Sequence, residues 1–250
     1  MQLSDLSWPQ VERLSKDMPV VIPIAAVEQH GHHLPLHTDS YLLGEVVRRT
    51  ALATGDRVLY APLQWLGNSE HHLDFPGTLT AAPRTYLDLL GNLAENLLAH
   101  GFRRLVFLNG HGGNDVPARQ AVFELRQRHR ARKDLLLLAA TYWNLGPPRE
   151  DGRFVQQQMG HACEWETSMM LRIHPHLVGD YGAAGPVPFG NAFEPATRGW
   201  ITRERTVPGH IGSPHLATAE KGEALLQRFT QDAVAMLERV VRWDGSSWEG

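Results

Sequence analysis

Four short apolar runs, separated by segments of helical length, restrict this chain more than any other feature. The first, PVVIPIAA at residues 19–26, shows no polar alternation. A strand of that kind must be covered on both faces, which is the situation inside a parallel sheet. RVLYAPL (57–63), RRLVFLNG (103–110) and DLLLLAATYW (134–143) repeat the pattern. After the first run, DSYLLGEVVRRTALAT reads as a helix, with Thr38 placed to cap it and Gly55 to stop it. APRTYLDLLGNLAENLLAH is a long amphipathic helix with Thr80 near its start and Gly101 at its end. VPARQAVFELRQRHR, HACEWETSMMLRI (161–173) and TAEKGEALLQRFTQDAVAMLERVVRW supply further helices. Strands alternating with helices predict βαβ units, a parallel sheet and right-handed crossovers. No linker, internal repeat or low-complexity tract interrupts residues 1–250, so the chain reads as one domain. The Gly/Pro-rich stretch from Val178 to His215 is longer than a compact domain leaves without a role. It is expected to pack on a neighbouring subunit or to cover a site mouth.

Composition narrows the function classes. A net charge of -3 gives no reason to expect nucleic acid or an anionic membrane as partner. Cys163 is the single cysteine, which excludes an internal disulfide and fits a reducing compartment. The first residues lack the basic and apolar regions of a signal peptide, and no apolar run approaches the roughly 20 residues of a membrane span. A cytoplasmic location is expected.

In sheets of this kind, sites form in loops beyond the carboxyl ends of the strands. Two of those loops are loaded with polar chemistry. EQHGHHLPLHTD (28–39) follows the first strand and carries two carboxylates and four of the chain's 14 histidines. Glu28 and His30 lie two apart, so reaching one ion requires a bend, whereas two ions, one for each, suit the spacing as well. Asp39 falls in the first turn of a helix, where the dipole alone favours a carboxylate. Gly31 and Pro35 let the loop fold back and bring Asp39 beside Glu28. His32, His33 and His37 exceed what one site needs and read as loop surface or support. NGHGGND (109–115), after the third strand, sets His111 among glycines that permit close backbone approach. It lacks the lysine and the spacing of a P-loop. In HACEWETS, His161 and Glu164 stand one turn apart on a shared helical face, and Glu166 points away from that face. Ordinary helix packing explains Met169, Met170 and Leu171, but not two carboxylates and a histidine at the helix start. Without a thiolate, this donor set suits Zn, Mn or Fe(II) rather than a structural cysteine site.

EQHGHHLPLHTD, SEHHLDFPGTL, NGHGGN and HACEWETS, in this order, resemble the creatininase (creatinine amidohydrolase) family, and GSPHLATAEKG resembles its C-terminal segment. The likeness runs over nearly the whole chain. It implies a three-layer α/β/α sandwich with a mostly parallel central sheet, and a homohexamer built from dimers. It also implies a dinuclear amidohydrolase with two divalent ions per chain (Zn, Mn or Fe). By that likeness Glu28 and His111 hold one ion, His30 holds the second, and Asp39 bridges both. His161 is then the catalytic histidine, Glu166 a supporting neighbour, and Ser69 a residue lining the substrate pocket. Creatininase proper has a further carboxylate ligand where this chain has Gly113. Glu164 is the expected substitute, as ligand and as part of the catalytic set. Creatininase proper also carries a Trp and an acid shortly before its catalytic histidine, where VQQQMG (155–160) has neither, so creatinine itself is not the expected substrate. The expected reaction is hydrolysis of a C–N bond in a small-molecule amide, cyclic or formamide in type, by a hydroxide bridging the ions with His161 as proton donor. One alternative is a peptide-trimming amidase of the mycofactocin-maturation type, although such relatives usually lack the glutamate found here as Glu164. Another is a metal-binding scaffold or sensor that has lost catalysis.

Overall fold

The structure is a computed structural model describing residues 1–147, 152–190, 193 and 195–248. In chain order, α1 (Trp8–Glu12) precedes β1 (Val20–Ile24), followed by α2 (Thr38–Thr54), β2 (Leu59–Tyr60) and α3 (Pro83–Ala99). Then come β3 (Arg104–Asn109), α4 (Asp115–Arg128), β4 (Leu136–Thr141), α5 (Glu164–Ile173), α6 (Thr202–Arg205) and α7 (Ala219–Arg242). The strands form one parallel sheet in the order β2-β1-β3-β4.

Successive strand residues serve opposite faces. Val21, Ala25, Val106 and Leu108 join Leu42 and Val46 of α2, Met169 of α5 and Phe229 of α7 in one core. Val20, Ile22, Ile24, Leu105 and Phe107 join Tyr86 and Leu90 of α3 and Leu125 of α4 in the other. This is the predicted three-layer α/β/α arrangement, and it explains why Val20–Ile24 of β1 and Leu105–Leu108 of β3 are apolar throughout. No helix among the described residues is long and apolar enough to cross a membrane.

The sheet is shorter at β2 than the apolar run suggests, because the ladder stops at Tyr60. Pro23, which has no N–H to donate, lies beyond that point, and its carbonyl accepts from Gln64 instead (2.9 Å). Thr38 is not a cap: it is the first helical residue, and its hydroxyl donates to the Pro35 carbonyl (2.6 Å). Thr80 lies upstream of the α3 start at Pro83 and accepts from the Ser69 N–H (2.7 Å). Gly55 (φ 56°) and Gly101 (φ 90°) do end α2 and α3 in the left-handed region that favours glycine.

Two contacts bring the polar loops and helix ends together. Ile24 and Asn109 are register partners, so the loops leaving β1 and β3 emerge side by side. On the other side of the sheet core, α5 and α7 meet almost backbone to backbone. A Cβ added to Gly222 would lie 2.0 Å from the Ser168 carbonyl oxygen. That approach brings Lys221 next to the start of α5.

Candidate metal centre

The loop after β1 folds back as Gly31 and Pro35 allow, and the first turn of α2 places Asp39 between two imidazoles. Its Oδ1 lies 3.1 Å from His30 Nε2 and its Oδ2 lies 3.0 Å from His111 Nδ1. Glu28 leaves β1 into the same space, with Oε2 at 3.3 Å from His111 Nε2 and Oε1 at 3.5 Å from His161 Nδ1. Glu166 approaches from the start of α5, 3.8 Å from His30 Nε2. All these groups are buried or nearly so. Asp39 and Glu166 stand in the first turns of α2 and α5, where the helix dipole favours acidic side chains.

Whether a cation fits there follows from what the carboxylates lack. Among the described residues, Glu28 Oε2, Asp39 Oδ2 and Glu166 Oε2 are buried and accept no hydrogen bond of good geometry; the first two meet His111 only as an ion-pair neighbour. Buried carboxylate oxygens left in that state are costly unless paired or bound to metal. Ligand atoms of Glu28, His30 and His161, of Glu28, His71 and His111, and of His30, Asp39 and Glu166 each lie within 4.8 Å of one another. The field of the carboxylates is felt by the histidines. Burial opposes a charge on His111, yet Glu28 and Asp39 outweigh it and hold its pKa up at about 10. His30 is raised in the same way: burial opposes, and Asp39 and Glu166 prevail. For Asp39, burial opposes ionisation, but His30 and His111 hold its carboxyl well below the usual range. The site demands positive charge, and the donors are those of Zn, Mn or Fe(II).

Against the sequence expectation for α5, Glu166 and not Glu164 faces the cluster. Glu164 is fully buried, but its Oε1 accepts from Lys221 Nζ (2.5 Å) and its Oε2 from the Gln156 N–H (3.1 Å). It does not join the cluster; Glu166 does. The helix starts at Glu164, so His161 sits outside it, beyond Ala162 at φ 47°. Helical spacing therefore says nothing about which glutamate His161 shares a face with. That left-handed turn, unusual for alanine, is pinned by paired backbone bonds between His161 and Ile211 (3.0 and 2.7 Å). His161 accepts from Gln29 Nε2 or donates to the Gln29 carbonyl through Nε2 (2.9 and 2.7 Å), according to tautomer. Burial above all, with the charge on His30, pushes its pKa down to about 3, against the opposing pull of Glu166 and Asp39. Ser69 is fully buried, with Oγ 3.2 Å from His111 Nε2, so it braces that ring.

Sequence reasoning passed over several participants. His72 lies 3.3 Å from Glu28, 2.8 Å from Gln29 and 3.1 Å from Thr202. His71 stacks on His111, with ring centroids 5.8 Å apart, and meets Trp200 edge-on at 5.0 Å. The adjacent histidines of SEHHLDFPGTL were the available signal. Gln29 also donates to the Gly209 carbonyl (2.8 Å). Thr202, Trp200 and Gly209 belong to the Gly/Pro-rich stretch, which therefore packs over the cluster. Of the surplus histidines, His33 is buried and bonded to Thr167 (2.9 Å), a supporting role.

The profile of the creatininase family, described as creatinine amidohydrolase, matches residues 4–237. Creatinine amidohydrolase of Pseudomonas putida is 29% identical over 245 residues, covering 90% of this chain and 91% of that protein. The mycofactocin precursor peptide peptidase of Mycobacterium ulcerans (strain Agy99) is 30% identical over 251 residues, covering 96% and 92%. A crystal structure of creatininase superposes with a TM-score of 0.83 at 26% identity, over 97% of this chain and 98% of that one. A mutant creatininase in a Zn–Zn form (TM-score 0.82, 26% identity, 97% and 98% covered) and a Mn creatininase (0.80, 27%, 97% and 99%) are similar too.

Proposed function

This chain belongs to the creatininase family of amidohydrolases, and from that premise we propose that it hydrolyses a C–N bond of a small amide, cyclic or formamide in type, with two divalent ions in the buried cluster. The observation that carries this is Asp39, whose two oxygens face His30 and His111 on opposite sides, beside carboxylate oxygens of Glu28 and Glu166 that accept no hydrogen bond of good geometry. Glu28, Asp39 and His111 would hold one ion, and His30, Asp39 and Glu166 the other. Bound there, such ions supply Lewis acidity, polarising the amide carbonyl and easing loss of a proton from water. His161 takes the proton from the attacking water and returns it to the departing amine nitrogen. Gln29 and Glu28 on either side of its ring fix the orientation for that transfer. Ser69 and the Asn68 carbonyl, 3.2 and 3.0 Å from His111 Nε2, hold the His111 ring. The segment carrying Trp200 and Thr202 limits water access to the cluster.

Creatinine is disfavoured as substrate. Ahead of His161, Gln156 is buried and occupied with Glu164 and with the Trp165 indole N–H (3.1 Å to its carbonyl). No aromatic or acidic side chain stands in VQQQMG to hold the ring. The mycofactocin peptidases that match most of this chain favour, as a second reading, removal of residues from a short peptide. In either case the protein acts as a cytoplasmic homo-oligomer, a hexamer by analogy with the family. The test is turnover on a panel of cyclic amides, N-formyl amides and short peptides after loading with Zn or Mn. His161→Ala should keep both ions and lose most of the rate on whichever class is turned over. A protein that binds both ions and hydrolyses none of the three classes would end the proposal and leave a metal-binding scaffold.

A further inference from the structure

The proposed ion beside Glu28 has three donors, Glu28, Asp39 and His111, and its remaining side is lined by the segment Asn68–His71. Gly113 offers nothing there and has no room to: a Cβ on it would meet the Asn68 carbonyl oxygen at 2.2 Å, His111 Nε2 at 2.5 Å and His71 Cε1 at 2.9 Å. The space beside the His111 ring is already filled by the imidazole of His71. We propose that His71 is a direct ligand of that ion, completing a set of Glu28, Asp39, His71 and His111. Ligand atoms of His71, Glu28 and His111 lie within 4.8 Å of one another. The ring is held by carbon contacts: it stacks on His111 at 14° between planes, tilts against His72 (4.3 Å) and receives Trp200 edge-on. Among the described residues its nitrogens make no hydrogen bond. A partly buried imidazole positioned by packing on both sides, with its polar atoms unengaged beside a buried carboxylate oxygen, is arranged as a ligand is.

The assignment rests on the two-ion reading and sharpens it chemically. Two imidazoles and two carboxylates make this the softer position, suited to Zn or Fe(II). His30, Asp39 and Glu166, with one imidazole, make the other position harder and more tolerant of Mn. The test is equilibrium dialysis of metal-free protein against Zn and against Mn, with bound metal measured by elemental analysis, and visible spectra of the Co-loaded protein. Wild type should take up two ions. His71→Gln should keep one at wild-type affinity and bind the other at least ~100-fold more weakly, beyond the roughly 10–100-fold typical when only an outer partner of a ligand is lost. Its Co spectrum should lose one of two contributions. His71→Glu should regain the second ion and shift its preference from Zn towards Mn. If wild type binds two ions and His71→Gln binds both with unchanged affinity and spectrum, His71 is not a ligand, and the two-ion reading stands without it. If wild type itself binds fewer than two, the two-ion reading fails and this assignment fails with it.

Discussion

Glu164 and Lys221 give the sharpest separation between what holds the fold and what holds metal. Replacing Lys221 by Met leaves a fully buried carboxylate whose remaining partner is the Gln156 N–H. Breaking a buried pair in this way costs about 3–5 kcal/mol. Replacing Glu164 by Gln is milder. The amide still accepts from Gln156, and Lys221, with 19% of its side chain exposed, keeps the Leu216 carbonyl and reaches water. The loss is then that of one charged hydrogen bond, about 1.5–3 kcal/mol. At roughly 2–4 °C per kcal/mol for a chain of this size, Lys221→Met should lower the melting temperature by roughly 6–20 °C and Glu164→Gln by roughly half as much. The double variant Glu164→Gln, Lys221→Met should melt above Lys221→Met alone, because it removes the stranded charge. Elemental analysis of all three should find the wild-type metal content. Glu166→Gln should do the opposite, losing one ion, because this carboxylate stands with His30 and Asp39 in the cluster. If Glu164→Gln loses an ion, or if Lys221→Met melts like wild type, the assignment of these two glutamates is wrong.

Asp39→Ala should abolish binding of both ions, whereas His30→Ala should lose mainly one; elemental analysis after reconstitution separates them, and equal losses would remove Asp39 as the bridge. Gly222→Ala gains helix propensity but drives a methyl into the backbone of α5 at Ser168. It should cost at least the roughly 1–3 kcal/mol of ordinary overpacking, read as a lower denaturation midpoint, and a neutral result would show that α5 and α7 do not approach so closely.

Much of this was legible in the chain itself. Continuous apolar runs announced a covered parallel sheet, and Val21 and Ile22 do serve opposite cores. The loops after β1 and β3 were the right places to look because strands in register end level. Glu28, His30, Asp39 and His111 come together as their loop positions suggest. What failed was helical phase at α5. The residue that breaks it, Ala162, carries no glycine-like signal, so its positive φ was invisible, and with it the exchange of Glu164 for Glu166. Lys221 was also out of reach, because its pairing with Glu164 spans 57 positions and depends on Gly222 letting two helices touch. His71 and His72 were visible as a pair, but only the packing around them shows that both reach the cluster, His72 against Glu28 and His71 between His111 and Trp200. Ser69 matched a pocket residue by likeness, and its contact with His111, 3.2 Å from Nε2, could not be read from that likeness.

The central claim, that this buried cluster of carboxylates and imidazoles is a two-ion site, is tested most directly by anomalous diffraction from crystals loaded with Zn or Mn. We expect two peaks per chain, one among Glu28, Asp39, His71 and His111 and one among His30, Asp39 and Glu166, with Asp39 touching both. A single peak, none, or an ion held by Glu164 would contradict it.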